Sequence, residues 1–266
     1  QLLTAESNLI GLTTIRSYDE YTYNHSVNVC ILSLAIAQRV GFSKTKLCEL
    51  GMAALFHDIG KSEIPIEVLN KATEFSKEEW ETMQRHPIFG VKKLMKLKGL
   101  DALNARIITG AFEHHLNYDF SGYPKVPYKN LSLFGKIISI ADCYDGLTSS
   151  RVYSRVPYPP DKALRFMMQR AGKAYDPILM KLFINCIGIY PIGSLLLLNS
   201  KELAVVMENH REPEKWSTPM VKIISDAAGN EVDGETIDLS EPEAMRVIAE
   251  ALDPNKYKID VSRYFV

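Results

Sequence analysis

The sequence predicts a mainly α-helical protein with a small α+β appendix at its C-terminal end. Through most of the first 190 residues, apolar side chains recur at three- and four-residue steps, as they do on the buried faces of helices. After Tyr190 the pattern changes to short β-like runs separated by turn residues. We therefore predict the end of an upstream helix or linker at 1–17, a helical domain at 18–190 and an α+β subdomain at 191–266.

Composition and charge narrow the classes of function. The chain has 266 residues, 46% of them hydrophobic, and a formal net charge of −1, which favours neither DNA nor a membrane surface as a partner. No apolar run reaches the roughly 18 residues of a membrane-spanning helix, and the first residues of the sequence show no signal-peptide pattern. Four cysteines lie far apart, and we expect them to be reduced core residues of a cytoplasmic protein: Cys30, Cys48, Cys143 and Cys186. Because the chain begins with Gln rather than Met, we expect a longer protein upstream.

The individual helices are predicted from apolar residues at helical spacing and from capping residues at the helix ends. Ser43 and Gly60 are the predicted caps of one helix, and Ser76 with Glu79 forms a capping box for another. Pro87 suits the first turn of the next helix. The remaining helices are predicted near 19–40, 101–115, 131–147, 161–168 and 177–187. In the appendix we predict β-like runs at 194–199, 203–208 and 220–225, and an amphipathic helix at 241–251.

Ionisable residues interrupt the apolar faces of these helices. The stripe of Leu50 and Ala54 continues into His57 and Asp58, and His25 lies on the apolar face of the first helix. A buried carboxylate is costly unless it is paired or binds a metal. Five of the six histidines lie at helix ends or on buried faces, and a metal would bind each as a neutral imidazole.

Counting these groups predicts two metal ions. The candidate ligands are His25, His57, Asp58, His86, His114, His115 and Asp142. Seven groups exceed the capacity of one six-coordinate ion, and a bridging Asp58 would let two ions share a water molecule. We assign His25, His57 and Asp142 to one ion and the other three histidines to the second. Nitrogen and carboxylate ligands without thiolate favour iron and then manganese, with zinc, cobalt or nickel as alternatives.

Several short motifs occur in a fixed order along the chain. They are Tyr21 to Ser26, His57-Asp58-Ile59-Gly60-Lys61, Ile64-Pro65, Leu69-Asn70-Lys71, His86 to Gly90, His114-His115, Asp119 with Ser121-Gly122-Tyr123-Pro124, Ala141-Asp142 with Tyr144-Asp145, Arg151 with Tyr153, and Tyr175-Asp176-Pro177. Over residues 18–195 this set resembles the HD-GYP family, a branch of the HD phosphohydrolase superfamily. The resemblance implies an HD-type helical bundle and a bacterial phosphodiesterase that hydrolyses cyclic di-GMP through a hydroxide bridging two metals.

The resemblance also indicates roles for residues around the metals, with Asp58, Lys61 and Asp145 as the catalytic candidates. Lys61 could neutralise phosphoryl oxygens or form a structural ion pair with Asp58. Asp145 could orient a ligand imidazole or pair with Arg151. For the substrate, Tyr123 offers a face for guanine, Arg151 can bind a phosphate or a guanine edge, and Lys61 and Gly122 line the same pocket. The Gly-Tyr-Pro turn could equally be a rigid bend.

Four positions depart from the family pattern. Leu116 stands where Glu usually follows the two histidines, and Phe120 stands where Gly usually follows Asp119. Ser154 replaces a frequent basic residue, with Arg155 beside it. Tyr21 cannot supply the Glu that holds a third metal in some members, so the resemblance implies two metals and the linear product pGpG.

Two alternatives remain open from the sequence. The substrate could be another cyclic dinucleotide, such as cyclic GMP-AMP. The chain could instead be a weakly active signalling module whose Gly-Tyr-Pro loop docks a diguanylate cyclase. Many family members carry sensor domains upstream, and we expect one before the start of this sequence. The appendix could be a lid, a homodimer surface or a packing element.

Overall fold

The chain forms two compact units in the computed structural model, which describes residues 21–71, 73–96, 104–127, 129–149 and 157–265. The helical unit comprises the described residues among 18–157 and 166–182, and the sheet unit comprises those among 158–165 and 183–265. A helical N-terminal part and a small C-terminal sheet confirm the predicted fold class.

In the described residues of the helical unit, seven helices follow one another along the chain. They are α1 (Tyr21–Val40), α2 (Lys44–Leu55), α3 (Ile66–Leu69), α4 (Lys77–Met83), α5 (His86–Leu94), α6 (Asn104–Glu113) and α7 (Leu133–Thr148). Helix α1 packs against α2 and α7, and α6 packs against α2, α5 and α7. The stripe of α1 is buried at Val29, Leu32 and Ile36, as its spacing predicted. Helices α8 (Pro160–Met168) and α9 (Pro177–Ile187) follow along the chain.

The predicted N-caps are confirmed. Ser76 and Glu79 form the full capping box, in which each side chain binds the other residue's backbone N–H. Ser43 caps α2 by accepting a hydrogen bond from the Lys46 backbone at 3.4 Å. In the same way Ser132 caps α7 through the Gly135 backbone at 3.0 Å.

The predicted helix from Ser43 to Gly60 is too long at its C-terminal end. Helix α2 stops at Leu55, and a 3₁₀ helix (Ile59–Glu63) follows. Gly60 is therefore not a helix cap. It lies where that 3₁₀ helix meets α5, and a Cβ atom there would approach the His86 carbonyl oxygen to 1.9 Å. Only glycine lets the two backbones come this close.

The sheet unit contains five antiparallel strands in the order β4-β3-β2-β1-β5. They are β1 (Leu195–Leu198), β2 (Leu203–Glu208), β3 (Met220–Ser225), β4 (Thr236–Asp238) and β5 (Ile248–Leu252), with a short helix α10 (Pro254–Tyr257) after them. The three predicted β-like runs are confirmed as β1, β2 and β3. Alternate residues of β1, β2 and β3 lie in two buried clusters, one around Leu196 and one around Leu195.

The predicted helix at 241–251 is wrong. A 3₁₀ turn (Pro242–Ala244) is followed by Met245 in the left-handed region at φ 47°, which ends helical geometry, and then by strand β5. Ala251 pairs with Leu196 of β1. This strand forms because of a partner about fifty residues away, which a local pattern does not reveal.

None of the four cysteines, all of which the structure describes, forms a disulfide, as predicted, but none lies in the core. Cys30, Cys143 and Cys186 are half-buried and Cys48 is exposed. Cys48 stands between the buried Leu47 and Glu49, on the outward side of α2, so the apolar composition of its helix misled the prediction. Among the described residues, none of the helices has the length and hydropathy needed to cross a membrane.

Candidate metal centre

The seven predicted ligands converge from five parts of the helical unit. His25 comes from α1, His57 and Asp58 from the turn after α2, His86 from the first residue of α5, His114 and His115 from the turn after α6, and Asp142 from α7. These helices are separate in sequence but pack together, so their ends deliver the imidazoles and carboxylates to one place. Most of the seven side chains are buried; Asp142 and His115 are partly exposed.

Asp58 lies at the centre of this cluster. Its Oδ2 atom is 3.4 Å from Nε2 of His57 and 3.7 Å from Nε2 of His25. Its Oδ1 atom is 3.3 Å from Nε2 of His86 and 3.7 Å from Nε2 of His114. Each carboxylate oxygen therefore faces a different pair of histidines, an arrangement suited to a carboxylate that bridges two ions.

Two groups of potential ligands share Asp58. One contains His25, His57 and Asp58, and the other contains Asp58 with His86, His114 and His115. Within each group the ligand atoms lie within 4.8 Å of one another. Asp142 adjoins the first group, since its Oδ1 atom is 3.2 Å from Nε2 of His25. Its Oδ2 atom is 3.9 Å from Nδ1 of His115, so Asp142 also faces the second group.

Three of the histidines are oriented by their own turns. Nδ1 of His57 donates to the Ala54 carbonyl at 2.6 Å, Nδ1 of His86 to the carbonyl of Met83 at 2.8 Å, and Nδ1 of His114 to that of Ala111 at 2.7 Å. A carbonyl can only accept, so Nδ1 carries the proton in each ring. Nε2 is then directed into the cluster as the candidate ligand atom.

His25 is oriented by side chains instead. Its Nδ1 atom donates to Oδ2 of Asp145 at 2.7 Å, and the side-chain amide of Asn28 donates to Oδ1 of the same carboxylate at 2.9 Å. All three residues are buried. Asp145 therefore contacts a ligand imidazole rather than the centre of the cluster, which is the positioning alternative considered from the sequence. Arg151, the other partner considered for it, lies outside the described residues.

The interior of the cluster suits a cation. Nε2 of His86 and Nε2 of His114 are 3.2 Å apart, and both rings carry their proton on Nδ1, so two lone pairs face each other. Nε2 of His57 and Oδ1 of Asp58 are buried and form no hydrogen bond with any described group. Buried polar atoms normally have partners. Divalent metals bound by the two groups would satisfy these four atoms between them, so the residues present fit the metals that this donor set implies.

The pKa values of the histidines are shifted in opposite directions in the two groups. Burial disfavours the charged form of His57, but the carboxylates of Asp58 and Asp142 outweigh it and raise the pKa of His57 to about 10. The pKa of His25 is raised against burial by Asp142 and Asp145. Burial lowers the pKa of the histidines of the second group, namely His86, His114 and His115. In the absence of a metal, the pair of His25 and His57 therefore holds a proton more strongly than the histidines of the second group do.

Lys61 extends from the 3₁₀ helix to the edge of the cluster. Its Nζ atom donates to Oδ2 of Asp58 at 2.5 Å, and its side chain is 32% exposed. Burial opposes ionisation of Asp58, but Lys61 and His57 together hold its pKa well below the ordinary value. The ion pair considered from the sequence is thus present, and its exposed side places the ammonium group where a ligand can reach it.

The Gly-Tyr-Pro turn contacts His115 of the second group through a backbone hydrogen bond and a ring contact. The Tyr123 backbone donates to the His115 carbonyl at 3.1 Å, and the two rings are 4.6 Å apart. A Cβ atom on Gly122 would lie 2.1 Å from that carbonyl oxygen, so glycine is required for the close approach. Pro124 is buried after a cis peptide bond. Tyr123 is half-buried beside the cluster.

The structure describes the side chain at two of the positions at which the sequence departs from the family pattern. Leu116 is a buried core residue. Phe120 adopts φ 66°, a left-handed conformation that favours glycine, which accounts for the Gly that usually stands there. Ser154 and Arg155 lie outside the described residues, as does the side chain of Tyr21.

Two residues near the site were missed by the sequence reasoning. Asn28 stands three positions after His25 on the same helical face, and a polar residue on an apolar stripe was the available signal. Trp80 contacts Tyr123, with ring centroids 5.8 Å apart. Trp80 lies one helical turn before Met83, and this spacing indicates only a buried helix face. No local pattern in the sequence therefore marked Trp80 as a functional residue.

Comparisons with known proteins agree with this geometry. Residues 12–179 match the HD domain family, and residues 195–260 match the family described as a KOW domain associated with the HD domain. A cyclic di-GMP phosphodiesterase of Pseudomonas aeruginosa is 34% identical over 220 residues, which cover 82% of this chain and 51% of that protein. One of Thermotoga maritima is 34% identical over 169 residues, covering 63% of this chain and 45% of that protein.

A third relative has a different named substrate. A 3'3'-cGAMP-specific phosphodiesterase of Vibrio cholerae is 36% identical over 158 residues, covering 59% of this chain and 33% of that protein. The chain thus spans about half the length of the first two relatives, or less. Among solved structures, Bd1817, an HDG"Y"P protein from Bdellovibrio bacteriovorus, has a TM-score of 0.52 at 24% identity, covering 64% of this chain and 53% of that one. With the family match over most of the helical unit and the same fold in a solved relative, the chain belongs to the HD domain family, as its resemblance to the HD-GYP branch indicated.

Proposed function

We propose that the chain carries a metal-dependent phosphodiesterase that hydrolyses a cyclic dinucleotide, with cyclic di-GMP as the leading substrate. The observation that supports this most is the convergence of five imidazoles and two carboxylates on a site where buried ligand atoms lack hydrogen-bond partners. Curated relatives named cyclic di-GMP phosphodiesterases, each about one third identical, point to the same class of substrate.

The two groups that share Asp58 would hold two divalent metals. His25 and His57, with Asp142, would bind one, and His86, His114 and His115 the other, with one oxygen of Asp58 for each. The donor set of nitrogen and carboxylate oxygen favours iron, then manganese. When bound, such metals supply Lewis acidity toward the phosphoryl oxygens and make a water molecule nucleophilic at neutral pH.

The chain's own side chains would perform the remaining tasks. Asp58 fixes the spacing between the two groups, and Asp145 holds the His25 ring with its Nε2 atom directed inward. Lys61 lies beside Asp58 with an exposed flank, so its ammonium group can pair with a nonbridging phosphoryl oxygen as negative charge develops. Asp58, Lys61 and Asp145 are thus proposed to act as bridge, charge stabiliser and positioning residue.

The substrate would extend from the cluster toward the Gly-Tyr-Pro turn. Tyr123 packs one side of its ring near His115 and is half-buried, and burial keeps its hydroxyl protonated by raising its pKa. Gly122 leaves room for this packing, and Arg151 is proposed to bind a phosphate or a guanine edge. The linear dinucleotide pGpG is the proposed product, on the resemblance to members with two metals.

Cyclic GMP-AMP is the second candidate substrate. A relative named for that specificity is 36% identical to this chain, and Phe120 places an aromatic side chain where the HD-GYP pattern has glycine. The adaptor alternative has less support. Pro124 is buried and Tyr123 is turned toward His115, so the turn presents little of its motif to a docking partner.

The proposal is tested by a product assay on anaerobically purified protein. We expect chromatography to detect linear product from cyclic di-GMP after loading with iron or manganese, with cyclic GMP-AMP and cyclic di-AMP tested beside it. Absence of linear product from all three substrates with every metal would overturn the function.

Asp58→Ala should empty both metal positions in elemental analysis, because both positions share this carboxylate. Asp226→Asn in an exposed turn is the matched control.

A further inference from the structure

Three aromatic side chains form a row that leads from the cluster to the surface. Tyr123 lies beside His115, with ring centroids 4.6 Å apart. The Trp80 ring meets the Tyr123 ring edge-on at 5.8 Å, and Phe75 stacks on Trp80 at 6.1 Å with an angle of 23° between the planes. Two ring contacts therefore connect the indole of Trp80 with His115, a candidate metal ligand. The proposed function gives Trp80 no role.

Trp80 is exposed although its neighbours provide an apolar surface. Trp80 as a whole residue is 43% exposed, whereas Met83, one turn later on helix α4, is buried. Exposed apolar patches rimmed by polar groups commonly mark ligand-binding surfaces, and the indole forms such a patch with the rings of Phe75 and Tyr123. The edge contact with Tyr123 and the stacking contact with Phe75 cover only part of the indole, since 43% of the residue stays exposed.

The local structure holds this ring in place. The capping box of Ser76 and Glu79 fixes the start of α4 one turn before Trp80. Lys71 Nζ binds Oε2 of the same Glu79 at 2.5 Å, which ties the preceding segment to the helix. A rigid aromatic side chain loses little conformational entropy when a ligand stacks on it. The site is thus preorganised for a flat ligand.

We propose that Trp80 is a base-stacking residue that binds a purine of the cyclic dinucleotide while its phosphodiester lies at the Asp58 cluster. This inference rests on the proposed function. Stacking uses the π-face that every purine has, so Trp80 would contribute affinity for guanine and adenine alike, and the choice between them would be made elsewhere in the pocket.

Steady-state kinetics separates stacking from a structural role. Trp80→Ala should raise KM roughly 5- to 100-fold, the range expected for loss of one stacked base, with kcat little changed. Trp80→Phe retains a ring and should stay within about threefold of the native KM. The matched control is Trp216→Phe, which alters the second of the two tryptophans, in the sheet unit. Metal content and melting temperature should be unchanged in all three.

Fluorescence gives a readout that does not need turnover. In Trp216→Phe protein, Trp80 is the remaining tryptophan. Titration of the metal-loaded variant with a hydrolysis-resistant phosphorothioate analogue of cyclic di-GMP should cause a saturable loss of indole emission, since a stacked guanine quenches the excited ring. The midpoint should match the Kd measured by calorimetry.

The outcomes are distinguishable. Hydrolysis by the native protein together with an unchanged KM in Trp80→Ala, or binding of the analogue without any change in Trp80 emission, overturns the stacking role and leaves the phosphodiesterase intact. A rise in KM accompanied by loss of metal or of thermal stability overturns it as well, in favour of a structural role. Failure of the native protein to cleave or bind any cyclic dinucleotide rejects the proposed function itself.

Discussion

At the scale of single residues, the direction of each imidazole ring defines the candidate site. His57, His86 and His114 are turned by their own backbone carbonyls, and His25 is turned by Asp145. These hydrogen bonds on Nδ1 direct Nε2 of each ring inward. The site is therefore preorganised, and two consequences can be tested.

The first consequence concerns Asp145. Both of its oxygens accept hydrogen bonds, one from Nδ1 of His25 and one from the amide of Asn28. In Asp145→Asn the single remaining oxygen can serve only one donor, and the new NH2 group faces the other. We expect metal affinity to fall about 10- to 100-fold, as measured by competition with a chelator.

An exchange of partners provides the control for Asp145. In the double variant Asp145→Asn with Asn28→Asp, the new carboxylate at position 28 can accept from the new amide, and the oxygen at position 145 can accept from His25. We expect partial recovery of metal affinity. Equal affinities of native protein and the single variant would refute the orienting role.

The second consequence is a release of protons when metal binds. Because Asp58 and Asp142 outweigh burial and raise the pKa of His57 to about 10, this ring is protonated in metal-free protein at pH 8. The pKa of His25 is also raised, by Asp142 and Asp145 against burial. Binding through Nε2 must displace any proton held there, so affinity should increase as pH rises. Unperturbed imidazoles would be almost fully neutral at this pH.

Calorimetry can count the protons. Titrations with metal at pH 8 in buffers of different ionisation enthalpy should show the release of at least about one proton per protein, from His57, and any further release should come from His25. The histidines of the second group, whose pKa values are lowered, should contribute none. A result near zero would contradict the charge separation within the cluster.

At the scale of elements, the contact between the 3₁₀ helix (Ile59–Glu63) and α5 sets the distance between the two groups of ligands. Asp58 precedes one element and His86 begins the other, and Gly60 lies between them against the His86 carbonyl. Lys61 is carried by the same turn. The geometry of both groups therefore depends on one close backbone contact.

Substitution of Gly60 tests that contact. A Cβ atom would lie 1.9 Å from the His86 carbonyl oxygen, so Gly60→Ala must push the two elements apart. We expect a loss of about 2–3 kcal/mol in the free energy of unfolding and reduced metal binding, measured by denaturant titration and elemental analysis.

Gly90 offers a matched control on the facing helix. A Cβ atom at Gly90 would have its nearest neighbour at 3.6 Å, an ordinary contact, so Gly90→Ala should leave metal binding unchanged and stability equal or slightly higher. Similar losses in both variants would show that the close approach at Gly60 is not what matters.

At the scale of the whole molecule, the two units differ in what stabilises them. The helical unit buries a cluster of ionisable groups, including the two lone pairs that face each other between His86 and His114. The sheet unit buries two apolar clusters, around Leu196 and Leu195. Bound metal should therefore stabilise one unit and not the other.

Calorimetric scans of loaded and chelated protein test this difference. Removal of metal should lower the melting temperature of the helical unit by on the order of 10 °C, because a ligand at 100 to 1,000 times its Kd adds roughly 3–4 kcal/mol. The transition of the sheet unit should not move. Asp58→Ala, which lacks the shared ligand, should show no response to the chelator.

The sequence predicted those parts that depend on local chemistry. The capping box at Ser76 and the strands β1 to β3 follow from neighbouring residues alone. Strand β5 was missed because its partner Leu196 is distant in sequence, and Gly60 was misassigned because its close neighbour is the His86 carbonyl. The ligand types were predicted from their excess on buried faces, but no pattern showed which carboxylate oxygen faces which ring.

The hydrogen bonds from Nδ1 to the carbonyl three residues earlier imply a modular way to vary the protein. Each of His57, His86 and His114 takes its direction from its own short segment of backbone. The connections after helices α5 or α6 could therefore be longer in relatives without any change in the direction of an imidazole ring, provided that the helix ends still meet. Divergence in substrate preference would then accumulate in those connections, while the metal chemistry is inherited unchanged.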